Sequence, residues 1–386
     1  MEEYKIGVLL PRSSLYPAIA IDLMDGLKNA FKTFDATDIK FCYENIGFGG
    51  IEATVYAKVE KLLLEENVSV VIAFMDHTEA FKLEHLFANL NKLLIVLDPG
   101  AHIPLSWETS PFCYTLSLQA ALGSRLTGQL ATAEGSRKPI FATSFYEGGY
   151  LQCFSYLKGI ENGGGQVQSH FVVPFKREDF KIDPLHHALE QYKPDSMLAQ
   201  FSAESGAFFL NEYINSGLYK ELKLYSSPFM LEETWLSTIS YPFDGIRGYV
   251  TWLTDLPSYS NKLFLERLEQ ETGKTGNIFS MFGWEAAQFI IQCRQILNRH
   301  NYKIRAAQQD LEYISFESPR GFIKMHAHTH HLIAPMYITE IISAENKKCK
   351  LKLIEEDVSI LENFEKYIND KPEGVFSKWT NTYLCI

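Results

Sequence analysis

Val68-Ser69-Val70-Val71-Ile72-Ala73-Phe74-Met75-Asp76-His77-Thr78-Glu79 is the stretch from which the fold is read. The run 68–74 is almost wholly apolar and rich in β-branched side chains. A strand with one wet face would alternate, whereas a continuous run fits a strand covered on both faces in a parallel sheet. Asp76 then stands where a helix begins, with Glu79 three residues on, the form of a capping box. The helix predicted over 78–90 is followed by a second apolar run at 93–97. Strand, helix and strand in this order imply a right-handed crossover and a doubly wound sheet.

The same rhythm extends in both directions. Upstream, 5–10 reads as a buried strand stopped by Pro11, and Ile19, Leu23, Leu27, Ala30 and Phe34 recur at helical spacing. A strand over 39–43 and a helix over 52–66 follow. Downstream, a second unit alternates helix and strand over 120–133, 139–143, 148–161, 166–173, 185–192, 196–200, 203–215 and 222–226. Gly163-Gly164-Gly165 marks a helix stop inside it. The remainder breaks the rhythm, with a strand over 245–251, helices over 261–271, 280–299 and 304–313, and β-hairpin material over 321–325, 335–342 and 349–354. A chain of 386 residues exceeds what one core usually holds. Two α/β lobes are expected, with the polypeptide passing between them more than once.

Composition narrows the function classes. Hydrophobic residues make up 46% and charged residues 22%, an ordinary globular balance. A net charge of −11 without a long basic cluster argues against nucleic acid, which is bound through phosphate neutralisation. The short basic stretch Lys347-Lys348-Cys349-Lys350 reads as a solvated turn between strands. No apolar run is long enough for membrane insertion. The cysteines are scattered without a CxxC pair and suggest neither zinc nor a disulfide framework. His326, His328 and His330 alternate as on one strand face with His331 adjacent, but no Cys or carboxylate ligand stands beside them, and neither a metal nor another cofactor is expected. GxSxG, P-loop, GxGxxG and HExxH signatures do not occur, and no catalytic residue is assigned. Met1-Glu2-Glu3-Tyr4 lacks the regions of a signal peptide. The expected location is cytoplasmic if Met1 is the native start and periplasmic if a signal has been removed.

Several spaced stretches carry a family resemblance. They are Lys5-Ile6-Gly7-Val8-Leu9-Leu10-Pro11 with Met24-Asp25-Gly26-Leu27, then Phe74-Met75-Asp76-His77-Thr78, Asp98-Pro99-Gly100-Ala101 and Ser144-Phe145-Tyr146-Glu147-Gly148-Gly149-Tyr150. The C-terminal series is Ile314-Ser315-Phe316-Glu317-Ser318-Pro319-Arg320-Gly321, His330-His331 and Met336-Tyr337-Ile338-Thr339-Glu340-Ile341. Together these resemble motifs of the Leu/Ile/Val-type solute-binding proteins, closest to the amide- and urea-sensing receptors. The resemblance implies the type I periplasmic-binding fold: α/β, two doubly wound Rossmann-like lobes, interleaved crossovers near 118–121, 244–250 and 328–335, and a cleft between the lobes. It implies a first lobe of 1–119 plus 248–330 and a second of 120–247 plus 331–386. It also implies a receptor that closes on a small polar ligand, an amino acid, amide or urea-like molecule. The partner is then an ABC permease or a cytoplasmic regulator, and a homodimer stays open. A degenerate interaction module of the same fold and an α/β enzyme remain as alternatives.

Ligands of open α/β sheets bind beyond the carboxyl ends of the strands, so the turns after strands are candidates. In the first lobe these are Ser14 and Tyr16, then Asp76, His77 and Thr78, then Asp98, Gly100 and His102. In the second lobe they are Tyr146, Ser202 and Phe229. Hydroxyls, a few charges and aromatic walls suit a polar ligand desolvated on closure, each directional hydrogen bond adding about 0.5–1.5 kcal/mol. The amino-acid receptors hold an α-carboxylate with hydroxyls and helix N–H groups. A carboxylate at Asp76 would repel that group, which favours an amide, urea-like or amine-bearing ligand. The plain structural alternatives are Asp76 and Ser202 as helix caps and Tyr146 as a packing residue.

Overall fold

The computed structural model describes residues 3–174, 176–220, 222–236, 244–344, 348–375, 377, 379 and 380. The run read at 68–74 becomes the strand Val70–Phe74, buried along its whole length between the parallel strands Tyr4–Leu10 and Leu93–Asp98. Around it the first sheet runs, edge to edge, Ser315–Ser318, Gly321–His326, His331–Ile333, Cys113–Ser117, Leu93–Asp98, Val70–Phe74, Tyr4–Leu10 and Ile39–Asn45. The second runs Cys349–Glu356, Tyr337–Ser343, Arg247–Val250, Lys223–Ser226, Ser196–Gln200, Ile140–Ser144 and Ser169–Val173. The expected α/β architecture of two doubly wound lobes is therefore present.

Helix packing follows the apolar spacing. Ile19–Thr33 buries Ile19, Leu23, Leu27 and Ala30 on one stripe. It lies against Ile278–Arg299 so closely that a Cβ at Gly26 would fall 1.8 Å from the Ser280 carbonyl oxygen, and one at Gly283 2.0 Å from that of Leu23. A methyl group at either position would drive the two helices apart.

The chain changes sheets three times. It leaves the first after Cys113–Ser117 and enters the second lobe with the helix Ala120–Ala133. It returns after Arg247–Val250 to the helix Tyr259–Thr272, which packs on Ile19–Thr33. It leaves again between His331–Ile333 and Tyr337–Ser343. The last two exchanges correct the predicted boundaries at 248 and 331. Gly248, Tyr249 and Val250 are held in the second sheet by antiparallel pairing with Thr339, Ile338 and Tyr337, while His331 and Leu332 pair with Thr115 and Leu116 in the first.

These passages are pinned together by buried polar groups. Arg320 and Glu285, both fully buried, form a two-pronged ion pair at 2.8 and 2.6 Å. Arg320 Nη1 also donates to the Ser117 carbonyl at 2.9 Å and the Thr251 hydroxyl at 2.7 Å. The Arg320 carbonyl accepts from the Tyr337 hydroxyl at 2.6 Å. Ser117, Thr251 and Tyr337 each flank one passage. Gln119 adds a second tie, donating to the Ala334 carbonyl at 3.2 Å and accepting its N–H at 2.7 Å.

Several element expectations change. The helix read over 78–90 is divided into His77–Phe81 and Glu84–Leu90, and that over 52–66 ends in a wider turn at Lys61–Glu65. The chain end is not hairpin alone, because a helix, Ile360–Asn369, follows the last strand. Its Phe364 and Tyr367 pack on Trp107 of the first lobe, and Asp370 just beyond it pairs with Arg125 of the second at 2.7 Å. Part of the segment assigned to the second lobe thus covers the first. Of the basic stretch, Lys347 lies outside the described residues. Among the described residues no helix is long and apolar enough to cross a membrane.

Candidate functional site: the gap between the lobes

Two turns at the carboxyl ends of neighbouring strands build the first wall. After Val70–Phe74 comes Asp76, which caps the helix His77–Phe81. Its Oδ1 accepts the N–H of Thr78 at 2.9 Å, that of Glu79 at 3.3 Å, and the Thr78 hydroxyl. Glu79 pairs with Lys82 at 2.6 Å. The cap directs His77, whose Nδ1–H donates to Asp98 Oδ2 at 2.8 Å at the end of the next strand. Asp98 Oδ1 accepts the Gly100 N–H at 2.8 Å. Gly100 has a φ of 72°, and a Cβ there would fall 2.4 Å from Ser117 Oγ, so the turn requires glycine. Burial disfavours a charged His77, but the Asp98 carboxylate outweighs it and raises the His77 pKa above its ordinary value. Burial also raises the Asp98 pKa, with His77 acting against it.

Aromatic rings close over this pair. Trp107 stacks on His77 with centroids 5.2 Å apart and planes 6° from parallel. His331 meets both rings edge-on at 4.8 and 5.0 Å. Its Nδ1–H donates to the Thr329 carbonyl at 2.7 Å, and burial, helped by His77, holds its pKa well below the ordinary 6.5. A cavity of about 10 Å³ lies among His77, Asp98, Gly100, His102, Trp107 and His331.

Beyond this box the turns open onto a larger cavity of about 600 Å³. That volume is in the usual range of small-molecule sites, about 300–1,000 Å³. The first lobe contributes His77, Thr78, His102, Ile103, Leu105 and Glu108, and the second contributes Leu151. A third side comes from the chain end, through Pro372, Val375, Ser377 and Thr380. This segment reaches the second lobe, where the Ser377 hydroxyl donates to the Gly149 carbonyl at 2.6 Å. Trp379 lies 6.0 Å from the Tyr146 ring and 5.7 Å from that of Tyr150. In the same turn Glu147 is buried and accepts a hydrogen bond from the Ser202 hydroxyl. Burial raises the Glu147 pKa, and Ser202 acts against it.

The structure thus gathers His77, Thr78, Asp98, Gly100 and His102 around the two cavities, with Tyr146 across the gap against the chain end. The other expected contacts are placed differently. Asp76 is fully buried with its carboxylate turned to helix N–H groups. Ser14 is exposed, and Tyr16 is buried with its ring 5.1 Å from Phe279. Ser202 is turned to Glu147, and Phe229 is packed in the core within the turn Pro228–Leu231. None of these five lines either cavity. The histidines of 326–331 take different partners: His326 meets Thr329, Glu365 and the His328 ring, His330 meets the Ser110 carbonyl and Glu312, and His331 turns to Trp107 and His77. Sequence reading missed Trp107, Leu151, Phe364 and Tyr367. The last two had a signal, since Ile360, Phe364 and Tyr367 recur at helical spacing.

Comparison with known proteins agrees with this architecture. Residues 3–347 match the family model described as periplasmic binding protein. The Leu/Ile/Val-binding protein homolog 6 of Brucella abortus is 18% identical over 294 residues, covering 75% of this chain and 74% of that protein. An ABC transporter substrate-binding protein from Sphaerobacter thermophilus superposes with a TM-score of 0.79 at 16% identity, covering 93% of this chain and 99% of the other. A solute-binding protein of an ABC transporter from Rhodopseudomonas palustris, in complex with 3,4-dihydroxybenzoic acid, gives 0.73 at 18% identity, covering 92% and 98%.

Proposed function

Because this chain belongs to the periplasmic binding protein family, we propose that it captures one small polar molecule in the gap between its lobes and presents it to an ABC-transporter permease. The family is one of solute-binding proteins and not of enzymes. One observation carries the proposal: the 600 Å³ cavity has walls from both lobes, so a ligand there contacts both only when they are closed and shifts the population toward closure. Its polar end faces Thr78 and the imidazoles of His77 and His102, and its apolar part faces Ile103, Leu105 and Leu151. An amino acid, amide or urea-like molecule with a small apolar group meets that division. Asp76 is engaged as a helix cap, so its charge is no objection to a carboxylate ligand. The name of the Brucella relative and the acid bound to the Rhodopseudomonas relative support testing both kinds.

Thermal-shift screening of the full chain with leucine, isoleucine, valine, small amides, urea and 3,4-dihydroxybenzoate tests the reading. A ligand present at 100 times its Kd stabilises by about 2.7 kcal/mol. A shift with one of these compounds, reproduced as one-to-one binding by calorimetry, supports the receptor. No shift with any of them supports the second reading, an interaction module without a solute, which the placement of the chain end in the cleft favours.

A further inference from the structure

We propose that the floor of the cleft is a binding site for a divalent transition-metal ion, held by the Nε2 atoms of His77 and His331, with Asp98 orienting His77 from its Nδ1 side. The three side chains lie close together, with one nitrogen of each histidine and one Asp98 carboxylate oxygen within 4.8 Å of one another. They come from three elements that the sequence separates widely: the start of His77–Phe81, the end of Leu93–Asp98 and the start of His331–Ile333. The site does not require a solute, although His77 also lines the larger cavity.

The hydrogen bonds around the two imidazoles carry the argument. A carbonyl oxygen can only accept, so the 2.7 Å contact with Thr329 puts the proton of His331 on Nδ1 and leaves a lone pair on Nε2. That Nε2 is buried and has no hydrogen-bond partner among the described residues. On His77 the Nδ1 side is directed at the Asp98 carboxylate, and its Nε2 is likewise buried without a partner. A buried polar atom left unsatisfied costs about 1–3 kcal/mol. Two such nitrogens on rings 4.8 Å apart are a concentrated expense for an apolar box. A metal ion removes it, because each lone pair becomes a ligand bond. Histidines that bind metals characteristically give their other N–H to a carboxylate or a backbone carbonyl, which fixes the tautomer. His77 and His331 do one each.

The surroundings fit an ion and not a larger guest. The space among these residues, about 10 Å³, is of the order of one water-sized sphere. The donors, imidazole nitrogens, match zinc and its neighbours in the first transition row, not calcium or magnesium. Two imidazoles leave a tetrahedral ion two further positions. His102, which lines both cavities and whose buried Nδ1 also has no partner among the described residues, stands beside it. The expectation of no metal considered the histidines of 326–331 as one strand face. It overlooked that the fold, while pairing His331 with His326 across two strands, sets the His331 ring against His77.

The test uses the full chain, stripped with a chelator and titrated with zinc chloride by calorimetry and with cobalt chloride by visible absorption. The proposal expects one equivalent of metal and the absorption bands of a low-coordinate cobalt site. His331→Gln and His77→Gln should each weaken binding at least about tenfold, with an unchanged near-ultraviolet circular dichroism spectrum in at least one of them. His328→Ala should leave binding as in the unmodified chain. No binding of either metal would overturn the proposal. So would stoichiometric binding that survives both glutamine substitutions, or that is lost in His328→Ala.

Discussion

Replacing Glu285 by alanine should remove more stability than any surface change in this protein. The substitution takes away both prongs of the pair with Arg320 and the acceptor of the Ser318 hydroxyl, which lies 2.7 Å from Glu285 Oε1. It leaves a guanidinium with no exposed surface, holding only the Ser117 carbonyl and the Thr251 hydroxyl. Arginine cannot shed its charge as a buried lysine would. Breaking a buried pair by removing one partner costs about 3–5 kcal/mol, because the remaining charge is uncompensated. Urea denaturation followed by circular dichroism should therefore show an unfolding free energy lower by that amount. The double replacement Glu285→Leu with Arg320→Met should recover most of it, since well-packed apolar side chains replace such pairs at little net cost. A loss below about 1 kcal/mol for Glu285→Ala, the usual worth of an exposed pair, would refute the reasoning. It would mean that the hinge opens far enough to hydrate Arg320.

Three further outcomes are expected. Asp76→Ala should lower stability by about 1 kcal/mol, the usual worth of a helix cap, while solute affinity measured by calorimetry stays the same; a fall in affinity at unchanged stability would restore Asp76 as a ligand contact. Glu147→Gln should stabilise the protein near pH 8 and have little effect near pH 4. Burial raises the folded-state pKa of Glu147, so its contribution is present below the unfolded pKa of about 4.3 and is lost as pH rises through the folded value; denaturation at a series of pH values showing a pH-independent difference would contradict this. Gly149→Ala should loosen the chain end, because the new methyl would lie 2.2 Å from the Trp379 ring, and limited proteolysis between Asp370 and Thr380 should become faster; an unchanged cleavage rate would show that this contact does not hold the segment.

The fold was legible wherever one physical signal dominated. The continuous apolar runs ending at Phe74 and Leu97 could belong only to strands covered on both faces, and three elements, Ala120–Ala133, Ser196–Gln200 and Ala203–Asn215, begin and end where the pattern placed them. Cys113–Ser117 escaped because five residues without alternation or a strong β-branched run leave no periodicity to read. The site was legible on its local side: His77, Asp98 and Gly100 follow strands, and ligand turns follow strands. Its distant side was not. Trp107 lies in a loop without pattern, and His331 sat among histidines that look equivalent until the fold sets its ring against His77. Asp76 shows a different limit, since a residue that fits a cap and a ligand contact equally well in sequence is assigned only when the direction of its carboxylate is known.

The helix Ile360–Asn369 makes the moving parts of this molecule three and not two. Through Phe364 and Tyr367 it meets both the Trp107 face of the first lobe and the Leu122 and Leu126 face of the second, in one apolar cluster. Any swing of the lobes must slide at least one of those faces past its neighbour, a shear that packed side chains resist until they can jump to a new seat. The helix therefore behaves as a detent: it favours discrete angles over a continuous range.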